Sequence, residues 1–269
     1  MGLIMYRFRK VMLERLKVVF EDLRTKYHRA EETRHDPVQF VRLFSVPSDR
    51  EIVGLLASSL AFGSVKQIIR ATSDVLVRMD GSPTSFCSQD FRTIDRCLKG
   101  FSYRFVCSRE LAELLYATGR IRESYGSLRA CFCEYLREND ENTENALRQF
   151  VLVLRKLGKM SDNFLVPTPY SKSPCKRMNL FLRWMVRKDE VDPGGWEGIP
   201  RWKLIVPLDT HIYRMGIACG MTKRRVPDGK TALEITSFLR AISQDDPLRY
   251  DFALVRFGVT GGNWRDILR

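Results

Sequence analysis

The chain has 269 residues, 44% of them hydrophobic, with 45 Lys and Arg against 32 Asp and Glu for a formal net charge of +13. That length and apolar share fit a globular protein with a substantial core and exclude a disordered or fibrous one. Charge breaks every apolar run well short of the ~20 residues that span a bilayer, and residues 1–20 lack a small-residue cleavage site, so a soluble, cytoplasmic protein is expected.

Residues 9–27 place Met12, Leu16, Val19, Phe20 and Leu23 on one face of an amphipathic helix, which HDPVQF then interrupts. Ser48 with Glu51 three residues on reads as a capping box opening SDREIVGLLASSLAF, a helix apolar nearly all round and therefore buried. Phe62-Gly63 ends it. A second helix follows at once over GSVKQIIRATSDVLVRMD, with Val65, Ile68, Ile69, Val75, Leu76 and Met79 toward the core, so the two helices form a tight corner. Shorter helices are predicted around Ile94–Leu98, Arg109–Thr118, Leu128–Arg137 and Asn145–Leu157, with TGRIRESYGS and ENDENTE as loops. Three prolines hold NFLVPTPYSKSP extended. Helices follow from Lys176, from Asp209, over KTALEITSFLRAI and over LRYDFALVRFGV, before a loosely held tail, TGGNWRDILR. No β-alternation longer than a few residues occurs, and the predicted fold is mostly α.

The charge is unevenly spread. Between Tyr170 and Arg225 there are twelve basic and five acidic residues, more than half of the excess in about a fifth of the chain, which points to a polyanionic partner. Seven cysteines without a CxxC pair read as reduced thiols, and three histidines are scattered without metal-ligand spacing, so no metal centre or cofactor is expected.

Two helix starts inside the basic stretch carry residues able to do chemistry. With Ser173 as N-cap and Pro174 as first helical residue, Lys176 falls in the first turn, where the helix dipole and the neighbours Leu180, Phe181 and Trp184 work against a bare positive charge. Asn179, Arg183 and Arg187 continue a polar stripe from Lys176 along an otherwise apolar helix. Asp209 follows Pro207-Leu208 as an N-cap. A carboxylate held there by backbone N–H groups is placed to stabilise a developing cation, although most such aspartates only cap.

PLDTHIYRMG resembles the signature of the helix-hairpin-helix DNA glycosylase superfamily, nearest endonuclease III, and CKRMNLFL resembles that family's lysine motif. The 33-residue step from Lys176 to Asp209 is similar to the archaeal 8-oxoguanine glycosylase branch, and NFLVP, PLDTH and YDFAL are similar to an uncharacterised bacterial family related to it. The resemblance implies a two-lobed all-helical fold with a central lobe at about 50–160, the Lys/Asp region at about 165–225, and C-terminal helices at 226–269. It implies base excision with lyase activity on an oxidised base such as 8-oxoguanine in double-stranded DNA, by a monomeric enzyme of the nucleoid. Lys176 would form the Schiff base and Asp209 would stabilise the sugar cation; Lys172, Arg177, Arg183, Arg187, Lys203, Lys223, Arg224 and Arg225 would bind phosphate. Phe62, Trp196, Trp202 and His211 would line the base pocket or wedge the duplex. TPYSKSP stands where the family has its phosphate-binding hairpin, and the four-cysteine cluster loop is absent. The alternatives are a non-catalytic DNA-structure binder, or an enzyme acting on a modified base in RNA or a free nucleoside.

Overall fold

A computed structural model describes residues 2–167 and 173–264. It is mostly helical: α1 (Gly2–Tyr27), α2 (Val38–Arg42), α3 (Pro47–Ser59), α4 (Val65–Arg78), α5 (Pro83–Cys87) and α6 (Phe91–Cys97) precede a small hairpin of β1 (Ser102–Tyr103) and β2 (Val106–Cys107). After it come α7 (Ser108–Tyr125), α8 (Leu128–Cys133), α9 (Glu144–Leu157), α10 (Lys176–Val186), α11 (Thr210–Ala218), α12 (Gly229–Ile242) and α13 (Asp251–Val259), with 3-10 turns at Ala30–His35 and Arg201–Lys203. Among the described residues no helix is long and apolar enough to cross a membrane.

Two helices form the centre. In α3 every residue from Glu51 to Ser59 is buried, and in α10 all from Phe181 to Val186 are. They pack directly on each other, and Gly54 permits the approach: a Cβ there would lie 3.0 Å from Met185 Sδ and 3.3 Å from the Phe181 ring. The buried side chains form one contiguous cluster from Leu16 of α1 to Trp264, with α1 lying against α13. Trp264 is buried against Phe257, which corrects the expectation of a loose tail as far as that residue; 265–269 lie outside the described residues.

Several local expectations change. Helix α3 starts from Val46 without a side-chain cap, because Glu51 is used elsewhere: its carboxylate crosses to the start of α8, accepting from Leu128 N (2.9 Å) and Arg129 N (3.0 Å), and from Trp196 Nε1 (2.8 Å). Burial pushes this carboxyl up, and those three donors oppose the shift. Val65 is exposed, while Ala71 and Thr72 fill the α4 core face. Helix α7 runs through TGRIRESY, where a loop was expected, because Gly119 is required by packing and does not end the helix.

A Cβ at Gly119 would lie 1.8 Å from Cys87 O at the end of α5, a clash no side-chain rotation relieves. Gly119→Ala gains about 1 kcal/mol of helix propensity but incurs an overpacking cost of about 1–3 kcal/mol or more. A thermal melt is expected to show a net loss of several degrees; a gain would mean that α5 and α7 separate freely.

Candidate functional site

Helix α10 begins differently from the expected Ser173–Pro174 start. Lys176 is its first residue, and the N-cap is Cys175, in the left-handed region at φ 47° and ψ 36°. Ser173 Oγ accepts from Cys175 N at 3.3 Å, so it braces the turn before the helix instead of capping it. Lys176 is half-buried and donates to Ala61 O at 3.4 Å, a long hydrogen bond, and among the described residues it has no carboxylate partner. Asp209 caps α11 as expected, accepting from Ile212 N at 2.8 Å. No hydrogen bond or ion pair joins Lys176 to Asp209 among the described residues.

The stripe beyond Lys176 is interior. Arg183 and Arg187 are 3% and 2% exposed, which corrects their assignment to phosphate: both guanidiniums are committed to carboxylates inside the protein. Arg183 bonds Asp192 at 2.9 Å and Asp251 at 2.7 Å; Arg187 bonds Asp192 at 2.8 Å, Asp189 at 2.5 Å, and Asp246. The physical reason is the DEVD run after α10, which folds back so that Gly194 N donates to Trp184 O and Trp196 N to Met185 O. This ties the helix to the following loop and to α13, and it fixes where Lys176 stands. Trp196, 2% exposed, is a core anchor bonded to Glu51, so it does not line an open base pocket. Lys203 is likewise buried, donating to Arg137 O at 2.8 Å and Glu138 O at 2.7 Å, and its phosphate role is corrected for the same reason.

The network holds four carboxylates on two guanidiniums. Burial pushes the Asp251 carboxyl from its ordinary 3.8 up to about 6, with Arg183 pulling the other way. The folded chain therefore keeps a proton that the unfolded chain releases near 3.8. This group's contribution to stability is present in full below that pH and is lost as pH rises to about 6. In melts across this window wild type should lose stability relative to Asp251→Asn, which cannot ionise there; parallel curves would refute the assignment.

The remaining expected residues are at the surface or near it. Lys223 and Arg225 are exposed, whereas Arg224 is tied to Asp228 at 2.6 Å and to Thr231. Trp202 is 39% exposed beside Lys203 and Arg240. His211 packs on α13, where a Cβ at Gly258 would lie 2.6 Å from its Nδ1. Lys172 lies outside the described residues. A cavity of about 490 Å³ opens between α9 and the starts of α10 and α12, lined by Arg148, Asn179, Arg224 and Lys230 among others; neither Lys176 nor Asp209 lines it.

Around two expected residues, Phe62 and Arg177, the structure gathers Tyr103, Arg104, Phe105 and Phe164, which the sequence did not single out. Phe62, at the α3–α4 corner, sits 4.9 Å from the Tyr103 ring and 5.0 Å from Phe164, and Phe164 sits 5.8 Å from Phe105 at the hairpin tip. Arg177 lies 4.6 Å over Phe164 and 5.3 Å over Phe62, held by Ser59 O at 3.1 Å and Phe164 O at 2.5 Å. Burial lowers its guanidinium to about 10, which leaves it charged at neutral pH. Phe105 and Phe164 are 70% and 43% exposed, so the result is an aromatic surface with Lys176, Arg177 and Arg104 around it. For the hairpin residues, Tyr103-Arg104-Phe105 was the available signal, but two-residue strands leave no alternation to read.

Residues 36–260 match the family model described as "Protein of unknown function (DUF2400)". The chain belongs to this family. The match overturns the expected membership in the helix-hairpin-helix glycosylase superfamily, since the model that the chain fits over most of its length is not a glycosylase model. No curated protein and no solved structure matches.

Proposed function

We propose that the chain binds DNA and removes a damaged base, with Lys176 as the amine nucleophile and Asp209 as its electrostatic partner. One observation carries the reading: an amine without a carboxylate partner among the described residues opens a helix that buried ion pairs tie to its surroundings, at the edge of an exposed aromatic and cationic surface. Aromatic faces accept bases and the cations accept phosphate, so the amine stands where a sugar would pass. The reading keeps the two-lobed arrangement as part of the proposal, with the aromatic surface where the α3–α4 corner meets α10.

In this chemistry the neutral amine adds to the sugar C1′ as the N-glycosidic bond breaks, and the departing base takes a proton. Asp209 stabilises the cationic character of the sugar during that step. Opening of the sugar ring gives the protonated Schiff base. Loss of a C2′ proton then expels the 3′ phosphate, and water releases the lysine. Cleavage of duplexes carrying an abasic site or an oxidised purine tests this, with Lys176→Ala and Asp209→Asn as the variants expected to lose it.

A second reading, binding to altered DNA structure without excision, is favoured by one observation. Lys176 and Asp209 neither bond each other nor line the cavity, and the aromatic surface needs no chemistry to bind. Turnover on any lesion removes it.

A further inference from the structure

We propose that the hairpin tip at Arg104-Phe105, together with Phe164, is a stacking platform for unpaired nucleotides, so that the DNA form preferred by this surface is single-stranded or locally opened. The inference rests on the reading that the ligand is DNA, and it adds which part of the DNA meets which residues.

The tip is built to present its ring. Phe105 is 70% exposed, an unfavourable place for a phenyl group unless something covers it. The residue before it, Arg104, has φ 53°, a left-handed conformation that a non-glycine side chain keeps only where its surroundings impose it. Here they do. The Tyr103 hydroxyl donates to Phe62 O, pinning β1 to the α3–α4 corner, and burial pushes that phenol up, which keeps it a donor. Arg104 lies across Gly63, whose φ of 93° is a left-handed conformation that favours glycine at the corner, and whose Cα faces the Arg104 side chain and the Tyr103 hydroxyl.

The neighbours select the occupant. Phe105 meets Phe164 edge to face, at 66° between the ring planes, so the two rings offer differently tilted faces to successive bases. Arg104 lies 5.4 Å from the Phe105 ring and Arg177 4.6 Å from the Phe164 ring, and Lys176 reaches Ala61 O beside Phe62, so the surround is cationic. Two nearby carboxylates are engaged: Glu110 accepts from Cys107 N and Phe164 N, both at 2.9 Å, and Glu113 accepts from Asn163 Nδ2 at 3.0 Å. An acidic polymer with flat apolar faces fits this arrangement. A paired duplex hides those faces in its stack, whereas an unpaired strand exposes them.

The test uses the full chain with 2-aminopurine placed in a single-stranded oligonucleotide and in its duplex, titrated at one fixed salt concentration. Wild type should bind the single strand more tightly than the duplex and quench the 2-aminopurine. Phe105→Ala should weaken single-strand binding by about tenfold, the loss typical of removing one stacking partner, and abolish the quench. Phe105→Trp should retain both. Because Phe105 is exposed, melts of these variants should match wild type. Unchanged single-strand affinity in Phe105→Ala, or equal binding of duplex and single strand, overturns the platform while leaving DNA binding intact. Absence of binding to either form by wild type overturns both this inference and the proposed function, and points to a protein occupant for the patch.

Discussion

Arg183→Met is expected to lower the stability of the protein by about 3–5 kcal/mol, the cost of removing one partner from a buried ion pair and leaving the other charged. Arg183 is 3% exposed and bonds Asp192 and Asp251, themselves buried, so neither carboxylate gains water when the guanidinium leaves. A loss of that size is a large share of the ~5–15 kcal/mol that holds a folded domain together. Denaturant titration measures it. The attribution to charge and not to packing is checked with Arg183→Met/Asp251→Asn, whose loss should be smaller than the sum of the two single losses. Additive losses would mean that the guanidinium acts by filling space.

Lys176→Ala is expected to reduce strand cleavage by at least about a thousandfold, as removal of a covalent nucleophile does. Its fold should be untouched, because the amine's tie to the rest of the protein is a long 3.4 Å hydrogen bond to Ala61 O. Asp209→Asn isolates the charge of its partner. Asparagine caps a helix about as well as aspartate, so the bond to Ile212 N can survive while the negative charge goes, at a cost of about a hundredfold or more in excision. The two variants should differ in one respect: Asp209→Asn, given a ready-made abasic site, should still form the Schiff base, whereas Lys176→Ala should not. Equal cleavage by all three proteins would remove both residues from the chemistry.

Helix positions were legible wherever apolar periodicity was strong, as in α4, α9 and α12, and the Asp209 cap was readable from one residue type at one position. The failures share a cause: the sequence shows a polar residue but not the partner that satisfies it. Glu51 has the spacing of a capping box and instead reaches α8 across the core. Arg183 and Arg187 stand four apart on an apolar helix, which suits a phosphate-binding stripe equally well; what decides is the DEVD loop folding back over them. The aspartates were present in the sequence as Asp189 and Asp192, and an arginine pair followed at once by an acidic loop is a signal for internal pairing. The resemblance around PLDTH matched residues at helix starts, where Asp and Lys occur for structural reasons in many folds. It did not extend to family membership.

The central claim is that the Lys176 amine forms a covalent bond with the DNA sugar, and reductive trapping measures it directly. A duplex with a single abasic site, incubated with the protein and borohydride, should yield a protein–DNA adduct that survives denaturation, and Lys176→Ala should yield none. No adduct from the wild-type protein, or an undiminished adduct from Lys176→Ala, would contradict the account.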